Sequence, residues 1–342
     1  MKKWPIIVTI PVLLLLYGLF LLGWYTNRPE PPVPTTVPTT AAPTTGAVTE
    51  ATSALTTTAA PTTEPTTVPT TAAPLLPPDE SVLKATTVFV YDMTDGRLIY
   101  SMGDLDRQIA PASLTKMITA LIVLEHLDPE AVVEVTLEEG WVAPGSSVAA
   151  VYSGNRLTVE MLLQGLLMQS GNDAAYALAA AVGRAIGENE TLGGPEALEL
   201  FLQEMERKRQ ELGMLDSCFL NPDGFDKEGH YSTPRDLMTL AIEAAQQPLI
   251  RRYAAMHRDT VTYESGEQYV WLNTNQLLNP DSPYYCPQAF GLKTGTTDNA
   301  GCCLIAGFEQ GGRELLIGVL GCPEHLDRFA DAKYLFEHFI SQ

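Results

Sequence analysis

A tract made almost entirely of Pro, Thr and Ala divides this 342-residue chain into a part that can fold and a part that cannot. It runs from Pro29 to Pro78, and one ten-residue segment of it is repeated letter for letter. Such a composition offers too little apolar surface to offset the entropy lost on ordering. We therefore predict a disordered linker over residues 26–78 and one folded domain over residues 79–342.

The residues before the linker have the pattern of a membrane anchor. Residues 4–25 are apolar, carry no charge and are about long enough to span a bilayer as a helix. Lys2 and Lys3 place residues 1–3 on the cytoplasmic side and the rest of the chain outside. A cleaved signal peptide is the alternative, but the bulky pair Trp24-Tyr25 stands where small residues are needed for cleavage.

The folded region is strongly acidic. The chain has a net charge of −20, and residues 1–78 contain three basic and three acidic side chains, so the whole excess belongs to residues 79–342. A surface of this charge excludes nucleic acid and anionic lipid as natural partners of the domain. Its ordinary role is to keep the domain soluble.

The cysteines and histidines do not form a recognisable metal or redox motif. Five cysteines occur without C-x-x-C spacing, which leaves a disulfide and free buried thiols as open alternatives. The five histidines form no H-E-x-x-H or similar set. We therefore expect neither a metal nor a cofactor.

The predicted elements place strands at both ends of the folded region and helices in its middle. A hairpin with an Asp95-Gly96 turn opens the region, and three β-runs followed by a helix close it. Since a two-stranded hairpin is marginal alone, we expect both ends to join one antiparallel sheet flanked by helices, with a helical lobe from the middle segment. This is an α+β fold. The predicted helices between the ends are 114–124, 159–168, 174–182 with Asn172 or Asp173 as its cap, 195–212 and 233–245.

Three short motifs carry the chemistry: Ser113-Leu-Thr-Lys116, Ser170-Gly-Asn172 and Lys293-Thr-Gly295. Ser113 and Lys116 lie one helical turn apart, so a weak hydroxyl nucleophile has an amine base on the same face. Burial, or a second cation such as Lys293, lowers the pKa of that amine and makes it a base. S-x-x-K, S-x-N and K-T-G in this order are a signature of serine acyl-transfer enzymes.

Two of the motifs also occur a second time. Ser81-Val-Leu-Lys84 matches the first motif, but it lies at the linker boundary without a helix start. Ser153-Gly-Asn155 matches the second, in a polar segment typical of a surface turn. We therefore assign the chemistry to Ser113 and Ser170.

Longer segments extend the match. From about Lys84 to Gln342, the chain resembles the serine-type D-alanyl-D-alanine carboxypeptidases, the low-molecular-mass penicillin-binding proteins, with a β-lactamase/transpeptidase-like fold. The segments that carry this resemblance include Ala110-Pro-Ala-Ser-Leu-Thr-Lys-Met, Gln169-Ser-Gly-Asn-Asp-Ala-Ala, Asn221-Pro-Asp-Gly-Phe-Asp, His230-Tyr-Ser-Thr-Pro-Arg-Asp-Leu and Gly291-Leu-Lys-Thr-Gly-Thr-Thr.

The resemblance implies a role for each site residue. Ser113 attacks the terminal D-Ala-D-Ala bond of a peptidoglycan stem peptide, Lys116 takes its proton and Ser170 relays a proton to the leaving D-alanine. The remaining residues bind substrate: Asn172 holds Lys116 and the substrate amide, Lys293 and Thr294 hold the terminal carboxylate, Gly295 gives the substrate room, the N–H groups of Ser113 and Thr296 form the oxyanion hole, and Arg328 lies near the carboxylate. β-Lactams are then covalent inhibitors.

Several alternatives share the same acyl-enzyme. A class A β-lactamase needs a deacylating glutamate in E-x-x-L-N, and no such segment lies between Asn172 and Lys293. A penicillin sensor needs a cytoplasmic part, and residues 1–3 are too short for one. The intact motifs disfavour an inactive binding module. Endopeptidase and transpeptidase activity stay open, because the cleft selects the acceptor. We expect a single-pass protein of the cell membrane with an extracytoplasmic catalytic domain.

Overall fold

A five-stranded antiparallel sheet lies at the centre of residues 75–342, the part of the chain that the computed structural model describes. The sheet strands are β1 (Thr87–Asp92), β2 (Arg97–Met102), β7 (Ala289–Thr297), β8 (Gly301–Gln310) and β9 (Arg313–Cys322), and two short ribbons are formed by β3 (Val132–Glu134) with β4 (Arg156–Thr158) and by β5 (Arg258–Thr262) with β6 (Gln268–Leu272). The strand order in the sheet is β2-β1-β9-β8-β7, and Thr87 to Asp92 of β1 pair with Leu320 to Leu315 of β9. The two ends of the folded region therefore meet in one sheet, as predicted.

Helices cover both faces of the sheet. One face packs against the C-terminal helix, where the Phe308 and Phe336 rings stack at 4.6 Å. The other face packs against the helical lobe, with Phe89 and Leu316 in its core. The helices are α1 (Lys116–His126), α2 (Val159–Met168), α3 (Asn172–Ile186), α4 (Gly194–Glu211), α5 (Pro234–Gln246), α6 (Pro248–Ala255) and α7 (Asp327–Phe339). The predicted α+β architecture is confirmed.

The predicted cap of α3 is wrong. Gly171 is the N-cap residue and makes no side-chain cap bond. The Asn172 side chain instead accepts a hydrogen bond from Lys116. The Asp173 carboxylate accepts bonds from the N–H groups of Ala149 and Val151 and so anchors the preceding loop. The Asn172 side chain thus binds across the fold, and Asp173 joins the preceding loop to its own helix by also accepting the Ala174 N–H.

The five cysteines are free thiols, and four of them are buried. Cys302 and Cys322 lie opposite each other on β8 and β9 without a disulfide. Of the two alternatives left open by the sequence, the structure has free thiols.

The predicted anchor and most of the predicted linker lie outside the described residues. Within residues 75–342, no helix has both the length and the apolar composition needed to cross a membrane. Leu76, which the sequence assigns to the linker, contacts α7 and the residues after it: its carbonyl lies 2.8 Å from His338 Nε2, and its N–H donates to Gln342 at 2.7 Å.

Candidate active site

Ser113 lies in a strained turn at the start of α1. Residues Ala112–Thr115 form a 3₁₀ turn that leads directly into α1, and Ala112 has a φ of 49°, which costs an L-residue about 1 kcal/mol or more. This turn leaves Ser113 partly exposed while Lys116 is fully buried. Lys116 Nζ donates to Ser113 Oγ at 2.8 Å, so the predicted nucleophile and base are in contact.

Lys116 is held by two further acceptors. Its Nζ donates to Asn172 Oδ1 and to the Asp223 carbonyl, each at 2.7 Å. Burial lowers its pKa to about 8, although the nearby carboxylates of Asp223 and Asp173 act in the opposite direction. A buried amine with this pKa is neutral in a useful fraction of molecules near neutral pH and can then accept a proton.

Ser170 occupies the turn between α2 and α3. It has a φ of 57° and is buried, and its hydroxyl accepts a hydrogen bond from Lys293 Nζ at 2.8 Å. The pKa of Lys293 lies well below its usual value, first because of burial and then because of the positive charges of Lys116 and Arg328. The second and third motifs are thus joined directly.

Strand β7 lies against the Ser113 turn. A Cβ on Gly295 would be 3.0 Å from Ala112 Cβ and 3.2 Å from Ser113 N. A side chain at this position would crowd the Ser113 turn, which favours glycine for a reason distinct from the expected room for substrate. The Thr294 hydroxyl is 2.6 Å from that of Thr274, and Thr296 is exposed at the cleft.

Arg328, the second residue of α7, lies behind the strand. It is 2% exposed, and its guanidinium donates to the Gly295 carbonyl at 2.9 Å and to Thr296 Oγ1 at 2.8 Å. A third bond, at 3.1 Å, goes to the Cys303 carbonyl of β8. In this structure Arg328 fixes the end of β7, and it does not line the cavity in front of Ser113.

A cavity of about 230 Å³ opens beside Ser113. Its walls are the C-terminal end of β7, the N-terminal end of α3 and two loops, residues 145–147 and 223–226. A larger depression of about 630 Å³ around Arg251 lies at Met93, Thr94 and Glu314 and contains none of the motif residues. The cavity beside Ser113 is lined by Ser113, Gly145, Ser146, Ser147, Asn172, Asp223, Gly224, Phe225, Asp226, Thr296, Thr297 and Asp298.

The duplicate motifs lie away from this cleft. Ser81 is exposed in a short 3₁₀ turn and donates to Asp79. Ser153 is also exposed, and its hydroxyl accepts from the Leu137 N–H at 2.9 Å. The structure thus brings together Ser113, Lys116, Ser170, Asn172 and the β7 residues, and leaves both duplicates on the surface.

Sequence reasoning missed Asp223 as a site residue. Its carbonyl accepts a hydrogen bond from Lys116. The next residue, Gly224, packs so closely under the nucleophile turn that an added Cβ would lie 1.8 Å from the Ala112 carbonyl oxygen. The segment Asn221-Pro-Asp-Gly contains a turn signal, but a carbonyl contact leaves no mark on residue type.

Away from this cleft, one cluster within residues 75–342 combines residue types that often bind metals. Glu125, His126 and Glu204 come together on the surface of α1 and α4. Arg207 forms ion pairs with both glutamates, and Lys208 contacts Glu125. These cations already compensate the carboxylate charge, so the cluster is an ion-pair network.

The geometry brings two serine hydroxyls, each hydrogen-bonded to a buried lysine, into one cleft beside an α+β sheet. Residues 72–324 match the profile of the D-alanyl-D-alanine carboxypeptidase family, peptidase S11. This match spans well over half of the chain, and the chain therefore belongs to that family.

Individual relatives agree with this assignment. The D-alanyl-D-alanine carboxypeptidase of Streptomyces sp. strain K15 is 30% identical over 277 residues, which cover 76% of this chain and 90% of the relative. D-alanyl-D-alanine carboxypeptidase DacF of Bacillus subtilis is 29% identical over 262 residues, which cover 76% of this chain. The match spans only 63% of the length of the Bacillus relative.

Solved structures have the same fold. The crystal structure of the Streptomyces K15 DD-transpeptidase superposes with a TM-score of 0.67 at 28% identity, over 76% of this chain and 98% of that one. Penicillin-binding protein D2 of Listeria monocytogenes, in its ampicillin-bound form, gives a TM-score of 0.61 at 28% identity, over 75% and 98% of the two chains. The predicted β-lactamase/transpeptidase-like fold is confirmed.

Proposed function

We propose that this protein is a serine DD-carboxypeptidase that removes the terminal D-alanine from peptidoglycan stem peptides. The observation that carries the proposal is the pair of contacts at 2.8 Å, Lys116 Nζ to Ser113 Oγ and Lys293 Nζ to Ser170 Oγ, in one cleft. A nucleophile with its base and a second hydroxyl with its own amine are what an acyl transfer with proton relay needs.

Acylation begins when neutral Lys116 takes the proton of Ser113 as Oγ attacks the penultimate D-Ala carbonyl. The carbonyl electrons move onto oxygen, and N–H groups of Ser113 and Thr296 stabilise the oxyanion. The C–N bond then breaks, and Ser170 relays the proton held by Lys116 to the amine of the departing D-alanine, which leaves Lys116 neutral again. Lys293 and Thr294 bind the terminal carboxylate, which restores the positive charge that burial disfavours on Lys293.

Deacylation uses the same base. Water gives a proton to Lys116 and adds to the acyl carbon; the ester bond then breaks, and Lys116 returns the proton to Ser113 Oγ. An amine acceptor in place of water would give transpeptidation, and the name of the K15 structure makes this the second candidate. β-Lactams acylate Ser113 as substrate mimics, an inference supported by the ampicillin-bound Listeria relative.

The test is release of D-alanine from diacetyl-Lys-D-Ala-D-Ala by the purified chain. We expect release by the wild type, none by Ser113→Ala and unchanged release by Ser81→Ala, which alters the duplicate motif. Adding glycine or D-amino acids as acceptors separates hydrolysis from transpeptidation. Undiminished D-alanine release by Ser113→Ala would contradict the proposal.

We also propose that residues 4–25 anchor the protein in the cell membrane, with residues 1–3 inside and the catalytic domain outside. The support is the uncharged apolar run behind Lys2 and Lys3. We expect the full chain to stay with bacterial membranes through a carbonate wash, and a chain lacking residues 1–25 to be soluble when made in the cytosol. Recovery of the mature protein with a new N-terminus beyond Tyr25 would instead indicate a cleaved signal peptide.

A further inference from the structure

The loop that carries Asp223 is fixed to the start of α1 by several contacts. Thr119 Oγ1 donates to the Pro222 carbonyl at 2.7 Å, and Gly224 N–H donates to Asn221 Oδ1 at 2.7 Å. The Asp223 carbonyl accepts from Lys116 Nζ at 2.7 Å and lies 3.4 Å from Ser113 Oγ. Asp223 is therefore held in a set place beside the nucleophile and the base.

The Asp223 side chain is a buried carboxylate with few hydrogen-bond donors around it. It is 1% exposed, and its Oδ1 accepts the Phe225 N–H at 3.2 Å. Its Oδ2 is buried and has no hydrogen-bond partner within residues 75–342. Burying a carboxylate in this way is costly and raises the pKa of Asp223, whereas the positive charge of Lys116 acts in the opposite direction and favours the anion.

We propose that Asp223 is a positioning residue for acylation, whose buried carboxylate stabilises the ammonium that forms on Lys116 when Lys116 takes the Ser113 proton. The inference rests on the proposed function, because it assumes that Lys116 is the base. The role resembles that of the aspartate in a Ser-His-Asp triad, which stabilises the protonated base without taking the proton. Lys116 binds the Asp223 main chain, so the carboxylate acts on the ammonium through space.

The other charged groups around Lys116 make this anion necessary. The positive charges of Lys116 and Arg328 both lower the pKa of Lys293. Positive charges on Lys116 and Lys293 therefore disfavour each other in the cleft. Asp173 is the other carboxylate that faces Lys116, but its charge is already shared among the N–H groups of Ala149, Val151 and Ala174.

Two further polar groups approach the Asp223 carboxylate from α3. These are the phenol of Tyr176 and the side chain of Asn172, which is bonded to Lys116. Neither brings a positive charge. Asp223 is thus the carboxylate whose charge is least satisfied by local donors.

The experiment compares Asp223→Asn with Asp223→Glu in the full chain. The rate of Ser113 acylation by a fluorescent penicillin, and kcat/KM for D-alanine release, are measured from pH 5 to 11. In Asp223→Asn we expect the rising limb of both profiles to move to lower pH by on the order of one unit, since loss of a nearby opposite charge lowers the Lys116 pKa by about that much or more. We also expect the plateau rate to fall by about tenfold or more.

A purely structural role predicts a different pattern. Asparagine has the shape of aspartate, so Asp223→Asn would keep the wild-type limb while the longer glutamate would disturb the site. Charge stabilisation predicts that Asp223→Glu keeps the limb near its wild-type position even if its rate falls. An unshifted limb in Asp223→Asn would overturn the inference.

Asp226→Asn is the matched control. Asp226 lies three residues further along the same loop, is only partly buried and accepts from the Asn299 N–H at 3.1 Å. We expect the limb of Asp226→Asn to stay in place. An equal shift in Asp226→Asn would show that the limb responds to the overall negative charge of the loop and would contradict a specific role of the Asp223 carboxylate. If the wild type is acylated by penicillin but releases no D-alanine, the proposed function fails and the acylation limb still decides the role of Asp223. If the wild type is not acylated, both fail.

Discussion

At the scale of single residues, burial distinguishes the motif residues of the cleft from the duplicate S-x-x-K and S-x-N motifs. Lys116 and Lys293 are almost completely buried, whereas Ser81 and Ser153 belong to exposed turns. Burial lowers the pKa values of Lys116 and Lys293, so these two amines lie in surroundings that the exposed duplicate motifs lack.

The pKa of Lys116 predicts how activity depends on pH. The acylating form has neutral Lys116, and burial lowers its pKa to about 8. Below that pH the ammonium dominates, so kcat/KM falls about tenfold for each unit of pH; above it, kcat/KM reaches a plateau. The check is kcat/KM for diacetyl-Lys-D-Ala-D-Ala against pH. A limb near the ordinary lysine value of 10.5 would show that the amine is not desolvated as described.

Ser170→Ala tests the proposed proton relay, and Ser153→Ala, in the duplicate motif, is its control. Ser170→Ala removes the hydroxyl bonded to Lys293, and we expect acylation to slow by about 10²- to 10⁴-fold, the usual value of a positioned proton-transfer group. Ser153→Ala removes only a surface hydroxyl and should leave the rate unchanged. The measurement is the rate constant of penicillin acylation for each variant, and equal rates for the two would remove Ser170 from the mechanism.

At the scale of elements, strong hydrophobic patterns predicted the structure well. The predicted helix at 159–168 matches α2, and the turn at Gly311-Gly312 joins β8 to β9 as expected. The β5–β6 ribbon was not predicted, since its strands bury little beyond Val261 and Trp271. The short helix α6 was also missed, because eight residues give too brief a periodic pattern.

The site was predictable to a similar degree. The S-x-x-K spacing predicted that the Ser113 and Lys116 side chains would meet, and they lie 2.8 Å apart. The carbonyl contact of Asp223 and the packing of Gly295 against the Ser113 turn depend on tertiary approach, which the local sequence does not encode.

His230 links the Asp223 loop to α1 and predicts acid sensitivity. Its Nδ1 accepts from the Leu220 N–H at 3.0 Å, and its Nε2 lies 3.1 Å from Thr115 Oγ1, so the buried ring is neutral. Burial lowers its pKa to about 4, against 6.5 in the unfolded chain. The stabilisation is therefore complete above pH 6.5 and is lost as the pH falls towards 4, by up to about 3 kcal/mol.

Urea denaturation at pH 7 and pH 4.5 measures this effect. We expect His230→Gln to have a lower free energy of unfolding at pH 7 but a smaller loss between the two pH values than the wild type. His257→Gln, which alters a half-buried ring outside the site, should lose as much as the wild type. An equal pH-dependent loss in His230→Gln and the wild type would exclude His230 as the source.

At the scale of the whole molecule, the sheet joins two hydrophobic cores, and the chain just before residue 79 belongs to the second. Leu75 packs against that core, and Leu76 bonds to the end of α7. A chain starting at residue 72 should therefore be more stable to urea than one starting at 79, by about 1 kcal/mol for the partial burial of one leucine. Equal free energies of unfolding would keep the domain boundary at the predicted residue 79.

The central claim is that Ser113 forms the acyl-enzyme in this cleft. The most direct measurement is mass spectrometry of the intact full chain after incubation with benzylpenicillin, followed by peptide mapping. The account predicts one penicilloyl adduct per chain, located on Ser113 and lost in Ser113→Ala. An adduct on any other residue, or none at all, would contradict it.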